Sequence, residues 1–480
     1  MVKTKVIHDT VHGNIIVDED MIKYLIDSPY FQRLRHVEQS SIRALFPTAR
    51  HDRFVHSLGV FHIGDLIASH IEEQGIASFE TKTLKQITQS YRIACLLHDV
   101  AHAPFSHTFE KCYGKKTELY SKLCEKLNLN EELERRQIDD IKEHELASAI
   151  LIVDSELKDS IQQKLKGNIE LICRMIIGWK YSDDTPTNQV RNCFIELLHG
   201  DVIDADRIDY ACRDVWASGY STATINVQRL INAMSICKNP SKEYVVCYNV
   251  NSVSDVINVL SVRLFQNRHI LTHHTVVYEQ LLMIKAAECM AKHIYPEEKN
   301  AAESLAKIIN LDSVIKSNKV GNYTFSHFCD DDLYFLMKQD EENSFFEEIS
   351  TRKYKRFALW KKPTEFYHLF PKVPKTAEIV SSKLEEQVST ALKGRPEVKD
   401  IIFKEIEFKP QKKLDSLWVL VNGKVKRYRE ICPDFMVESS ICDEFRFTFV
   451  YVPYPLKGDI QKYKKKLISE LTPIMNKLFA

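Results

Sequence analysis

The chain has 480 residues, with 66 basic and 66 acidic side chains and therefore no formal net charge. This balance excludes whole-molecule attraction to nucleic acid or to an anionic membrane, so any phosphate binding has to come from local arrangement. The 12 cysteines form no Cys-x-x-Cys pair, the polar start MVKTKVIHDT carries no secretory leader, and no apolar run approaches the ~20 residues of a membrane span, so we expect a cytoplasmic protein with reduced thiols.

Val2 to Val17 is rich in β-branched residues and broken by Gly13, which reads as a small hairpin or extended arm. Asp18 is placed to cap a helix over Glu19 to Ile26, and Asp27-Ser28-Pro29 starts another that carries Phe31, Gln32, Leu34 and Arg35. A loop-like passage, Gln39 to Pro47, leads to Arg53-Phe54-Val55-His56, the head of an amphipathic helix running to about Ile71. His62 and His70 on that helix are assigned to packing or to its exposed flank.

The chemistry concentrates in Cys95 to Glu110, CLLHDVAHAPFSHTFE. Tyr91 to Leu97 has the pattern of a buried helix, so His98 and Asp99 emerge at its end. Burying an adjacent imidazole and carboxylate is costly without a partner, and a divalent metal is an economical one. His102 is expected one helical turn past His98 on the same face, and Pro104 should turn Phe105 to His107 back over it. Glu118 to Leu146 is charged and mostly a solvated helical face, but His144 precedes Leu146, Ala149 and Ile150 at helical spacing and so can point inward.

Leu171 to Trp179 and Phe194 to His199 read as apolar helices leading to Gly200 to Asp214, GDVIDADRIDYACRD. That block packs five aspartates among Val202, Ile203, Ile208 and Tyr210, so Asp206, Asp209 and Asp214 cannot all be solvated if the helix is core. Ala217 to Ile225 reads as a loop, Tyr244 to Asn249 as a strand, and Ser254 to Met290 as a long helical region containing Arg263, Asn267, Arg268, His273 and His274. Glu297 to about Lys361 is expected to be helical. From Phe366 to Ala480, the segments KDIIFKEIEFKP, LDSLWVLV, GKVKRY and FRFTFVYV alternate like half-buried strands, and Asn422-Gly423 signals a hairpin. Gln411 to Arg429 and Lys462 to Lys466 are locally basic, which leaves open a solvated surface, a nucleic-acid contact or an oligomer interface.

The ordered set His56, His98-Asp99 and Asp206, together with KVIHDTVHGNI (Lys5 to Ile15), IDSPYFQRLRHVEQ (Ile26 to Gln39), RFVHSLG, HDVAHAPFSH, His144-Glu145 and DADRIDYACRD, resembles the HD phosphohydrolases. Within them it is similar to the deoxynucleoside triphosphate triphosphohydrolases, the branch that includes the animal enzyme with a sterile-alpha-motif domain and its bacterial relatives. The similarity runs from about Lys5 into the 360s. It implies a mainly α protein, with an all-helical HD-domain core and N-terminal regulatory arm over 1–295 and a helical outer lobe over 296–365, and the strand alternation adds a smaller α+β C-terminal domain of unknown role over 366–480.

The resemblance implies that His56, His98, Asp99 and Asp206 hold one divalent metal (Mg, Mn or Fe) and that His102, His107, His144 and Glu110 act at the scissile phosphate. Glu110 stands where relatives commonly carry aspartate. Gln39, Arg53, Arg207, Tyr210, Asp214 and Arg263 would contact the nucleoside triphosphate, whereas Leu271 stands where a tyrosine usually packs on the deoxyribose. Lys5, Asp27, Gln32 and Arg35 match residues of an inter-subunit site for an activating GTP or dNTP, with His8 replacing the relatives' asparagine, so a homodimer or homotetramer is expected. The products would be nucleoside and inorganic triphosphate. Two other readings stay open: an HD hydrolase of another nucleotide phosphoester, and a nucleotide sensor or nucleic-acid-binding protein.

Overall fold

The computed structural model describes residues 3–129, 133–220, 224–371, 373, 386, 401–408, 412–431, 445–455 and 458–478. Val2, residues 221–223 of the expected loop, and Gln411 and Ala480 at the bounds of the C-terminal readings lie outside the described residues. The chain forms two compact units that interleave in sequence. One comprises Met1–Gln266, Ala287–Glu341 and Lys413–Ile431, and the other comprises Asn267–Ala286, Glu342–Lys412 and Cys432–Ala480. The fold is mainly helical with smaller sheets, as the sequence implies.

The first unit begins with an antiparallel hairpin, β1 (Thr4–Asp9) and β2 (Gly13–Asp18), as expected for the arm. Gly13 takes the left-handed conformation that closes it. Six helices then build the scaffold: α1 (Arg53–Gln74), α2 (Thr81–Leu97), α3 (Glu143–Asp154), α4 (Ile169–Ile177), α5 (Pro186–Leu198) and α6 (Ala205–Ser218). Four of the six starts have a capping side chain. Asp52, Asn168, Thr185 and Asp204 accept backbone N–H bonds of the first turn, and Pro186 occupies the first turn of α5, where its missing N–H costs nothing. α2 packs on both α1 and α4, burying Leu84, Ile87, Tyr91, Ile93, Leu96 and Leu97. Each such side chain contributes roughly 1.5–3 kcal/mol of burial free energy. α6 crosses α1, which brings the aspartate block against His56.

A four-stranded sheet covers this unit in the order β10-β9-β4-β3, formed by β3 (Met234–Lys238), β4 (Tyr244–Asn249), β9 (Trp418–Val421) and β10 (Lys424–Arg427). β4 is the strand read from the sequence, and β9 and β10 close on Asn422-Gly423, both at positive φ as a two-residue hairpin requires. The parallel pairing of β4 with β9 joins positions about 170 residues apart, which no local pattern announces.

The expected long helical region after Ser254 is two helices, α7 (Val253–Gln266) and α8 (His274–Ile294), with a wide turn at Asn267–Leu271 between them. The helical expectation for Glu297 to Lys361 holds at Ala301–Ile308, Leu311–Ile315, Asp330–Gln339 and Ser344–Thr351 and is corrected elsewhere in the stretch. That stretch contains the hairpin of β5 (Ser317–Val320) and β6 (Tyr323–Ser326), turning at Gly321 with positive φ, and the short strand β7 (Arg356–Ala358) alongside α9 (Asp330–Gln339). The second unit is built on the sheet β7-β11-β8, formed by β7, β8 (Ile402–Phe408) and β11 (Phe445–Pro453). One face packs on α10 (Ile460–Leu478) through Phe447, Phe449, Leu467, Leu471 and Met475, beside Trp360 and Phe366. Among the described residues no helix is long and apolar enough to cross a membrane.

Candidate metal centre

His56 lies in the first turn of α1, so the helix fixes its position, and it is completely buried. His98 follows the last residue of α2, and its Nδ1 bonds the Cys95 carbonyl at 3.0 Å. A carbonyl can only accept, so that contact puts the proton on Nδ1 and leaves the Nε2 lone pair outward. On His56 the same selection comes from Asp209, whose carboxylate sits 2.7 Å from Nδ1. Both Nε2 atoms are buried and have no hydrogen-bond partner.

Asp206 Oδ1 is 3.0 Å from His56 Nε2 and 3.7 Å from His98 Nε2, and Asp99 Oδ2 lies 3.6 and 3.4 Å from the same two nitrogens. In the metal-free protein burial disfavours the charged imidazole of His56, but the carboxylates of Asp206 and Asp209 outweigh it and lift the pKa to about 9, so a metal binding at Nε2 displaces a proton. Two orphaned imidazole nitrogens converging with carboxylate oxygens form a donor set that suits a divalent metal ion. The residues present therefore fit a metal.

Beside this set lies a second group. His102 stacks on His144 with ring centroids 4.2 Å apart, and His107 stands 5.0 Å from His102 and 5.2 Å from His144. Glu110 Oε2 is 2.7 Å from His144 Nδ1 and 3.2 Å from His107 Nδ1, so the longer acid reaches both rings. Burial raises the Glu110 carboxyl's pKa, but the two imidazoles outweigh this and hold it well below its ordinary value. His102 is fully buried, and neither ring nitrogen has a partner. Burial, with Arg53 and His144 nearby, pushes its pKa well down, so the ring is neutral.

The expected helical placement of His102 is corrected. α2 ends at Leu97, and residues 98–104 form turns, so a reversal of the chain rather than a shared helical face brings His102 to the site. Phe105 and Ser106 both adopt left-handed backbone, an uncommon state for side-chain-bearing residues. It is held from three sides: Phe105 N–H donates to Asp330 at 2.7 Å, Ser106 Oγ–H donates to the Glu38 carbonyl, and Arg53 Nε donates to Ser106 Oγ at 2.9 Å.

Two of the three expected phosphate-binding arginines, Arg53 and Arg207, are already engaged. Arg53 is buried, pairs with Asp99, and bonds the Gln39 carbonyl at 3.1 Å. Arg207 Nη1 bonds the Gly200 and Val202 carbonyls at 3.1 and 2.8 Å and pairs with Asp204 at 3.2 Å. Tyr210 lies on α6 near Arg207 and Arg263, whose charges act on its hydroxyl, and Asp214 accepts from His51 Nε2 at 2.7 Å. Gln39 is buried with its Oε1 unpartnered. Leu271 is exposed.

Of the four expected regulatory residues, Lys5, Asp27 and Arg35 are exposed and Gln32 is half-buried. Lys5 is on β1, and Asp27 follows the first helical turns. Arg35 donates to Gln32 at 2.9 Å and covers the Phe54 ring at 3.5 Å. His8 bonds Asn14 at 3.2 Å.

Sequence reasoning left one group without a role. Asp209, fully buried, receives His12 Nε2 at 2.6 Å and Arg213 at 2.9 Å from both Nε and Nη2, besides His56, and Asp9 closes the network by holding Arg213 Nη1 at 2.9 Å. Gly59 belongs to it, because a Cβ there would sit 1.9 Å from Asp209 Oδ1. The signal was present: Asp209 and Arg213 stand three and seven residues after Asp206, on one face of α6, and His12 lies in the quoted arm motif.

Residues 53–180 match the HD domain family, a segment holding His56, His98, Asp99, His102, His107, Glu110 and His144 but not Asp206. The chain thus carries an HD domain, the domain of metal-dependent phosphohydrolases. It is similar to the deoxynucleoside triphosphate triphosphohydrolase SAMHD1 of Danio rerio, 24% identical over 336 residues covering 69% of this chain and 51% of that protein. An uncharacterized protein of Methanocaldococcus jannaschii is 28% identical over 232 residues, 48% of this chain and 38% of its own length. The chain thus spans about half or less of the length of these relatives. A crystal structure of a hypothetical protein from Aquifex aeolicus shares the fold, with a TM-score of 0.60 and 23% identity over 98% of this chain and 100% of that one.

Proposed function

We propose that this centre hydrolyses (deoxy)nucleoside triphosphates to nucleoside and inorganic triphosphate. The observation that carries the proposal is the pair of buried, unpartnered Nε2 atoms of His56 and His98 facing Asp206, next to a second cluster, His102, His107, His144 and Glu110, whose donor atoms also lie within 4.8 Å of one another. His56, His98, Asp99 and Asp206 would hold the metal, which when bound neutralises phosphate charge and makes a water nucleophilic at neutral pH.

Glu110 fixes the His144 and His107 rings, leaving their other nitrogens for phosphate oxygens. Water attack at the α-phosphorus breaks the bond to the 5′-oxygen, which needs a proton, and His102 is the donor. The neutral His102 of the free protein acquires that proton when a polyanionic substrate arrives and reverses the local positive field. Arg207, Arg263 and Arg53 would meet the triphosphate, with Gln39, Tyr210 and Asp214 at the sugar.

Activation by GTP or a dNTP at Lys5, Asp27, Gln32 and Arg35, in a homodimer or homotetramer, belongs to the same proposal and rests on the likeness to SAMHD1-type enzymes. A second reading, another nucleotide phosphoester on the same centre, is favoured by the engagement of Arg53 and Arg207 with protein acceptors. The test is incubation of the full chain with each dNTP and NTP and with Mg²⁺ or Mn²⁺, with and without GTP, and identification of the phosphate product. Inorganic triphosphate supports the first reading. Monophosphate or diphosphate release overturns it in favour of the second.

A further inference from the structure

Away from the HD centre, the first unit brings together Cys289, His293 and Asp340, with one donor atom of each within 4.8 Å of the others. Cys289 and His293 are four residues apart near the C-terminal end of α8, so one face of that helix presents both. Asp340 caps the C-terminal end of α9 and reaches back, its Oδ1 lying 2.9 Å from His293 Nδ1. That contact satisfies only half of the carboxylate. Asp340 Oδ2 is buried without a hydrogen-bond partner, although the side chain as a whole is only 11% exposed. An orphaned buried carboxylate oxygen calls for a cation, and a simple His–Asp ion pair does not supply one to it.

We infer that Cys289, His293 and Asp340 form a second metal site, one that takes Zn²⁺ or another thiolate-seeking divalent ion. The donor set decides the class. The HD centre offers imidazole and carboxylate alone, whereas this one adds a thiol, and sulfur ligation selects Zn²⁺ over Mg²⁺. Tetrahedral zinc with bonds of about 2.0–2.3 Å needs its donors about 3.3–3.8 Å apart, so the 2.9 Å contact of His293 with Asp340 has to open and the ring to swing onto the ion. The His293 ring, 47% exposed, has the freedom to do so. Water completes the fourth position. The thiol gives up its proton on binding, and the ion ties the end of α8 to the end of α9.

The test uses the full chain stripped of metal and titrated with Co²⁺, which reports sulfur ligation through thiolate-to-cobalt charge-transfer absorption that the sulfur-free HD centre cannot give. Expected is one equivalent of this absorption, bleached by Zn²⁺, absent in Cys289→Ser and weakened in His293→Ala, but retained in Asp206→Ala. His293 is exposed, so its variant separates ligation from folding. No charge-transfer absorption, or absorption that persists in Cys289→Ser, overturns the inference.

Discussion

Replacing Asp209 with asparagine tests whether the network behind His56 builds the metal centre. The two side chains are the same shape, but asparagine has one acceptor oxygen and one NH₂ where aspartate has two acceptor oxygens. If the oxygen stays on the His56 side, it keeps His56 Nδ1 and Arg213 Nε, and the NH₂ is left facing His12 Nε2 and Arg213 Nη2. His12 can change tautomer and accept, but a guanidinium cannot. One charge-assisted bond is lost outright and a second loses its charge, at roughly 1.5–3 kcal/mol each. The surviving 2.9 Å contact of Arg213 with Asp9 softens this, so about 2–4 kcal/mol of stability should go. A weakened partner behind a ligating histidine typically costs about 10–100-fold in metal affinity, equivalent to ~1.4–2.7 kcal/mol. Thermal melts of the metal-free protein and calorimetric titration with Mn²⁺ measure both. A variant that melts and binds Mn²⁺ like the parent would refute the argument that Asp209 sets the tautomer and orientation of His56.

Removing a donor directly should be more severe: Asp206→Ala loses bound metal, measured by elemental analysis, and hydrolysis with it, and intact metal content would strike Asp206 from the ligand set. His102→Ala should keep its metal but lose about 10²–10⁴-fold in turnover, and metal loss in that variant would instead make His102 a ligand. Gly59→Ala, whose added carbon would meet Asp209 Oδ1 at 1.9 Å, should cost about 1–3 kcal/mol in the melt and lower Mn²⁺ affinity, since the carboxylate must move off His56. Arg35→Ala should abolish stimulation by GTP or dNTP and, in light scattering, the nucleotide-driven growth in assembly, while unstimulated turnover stays as it was.

Much of the scaffold was legible because local chemistry announces it. Apolar spacing in Tyr91 to Leu97, the cap at Asp18 and the Asn422-Gly423 turn each act within a few residues. The hairpin at Ser317–Ser326 was missed because its strands are four residues long and alternate weakly between longer helices. His102 was put on a helical face because four-residue spacing is the same whether the chain continues as helix or reverses. Its actual placement depends on two left-handed residues held by Asp330, some 225 positions later.

The same distance in sequence hides the electrostatics of the site. Arg53 looked like a phosphate ligand because a cation three residues before a metal-binding histidine points the same way. Only the folded chain reveals that Asp99 lies opposite it, with the Gln39 carbonyl and Ser106 taking its other nitrogens. A guanidinium so committed cannot reach for substrate without releasing Asp99, and a released Asp99 becomes a stronger metal donor. Under the proposed function, substrate phosphate at Arg53 and metal at Asp99 would therefore be coupled through one ion pair, and each should tighten the binding of the other.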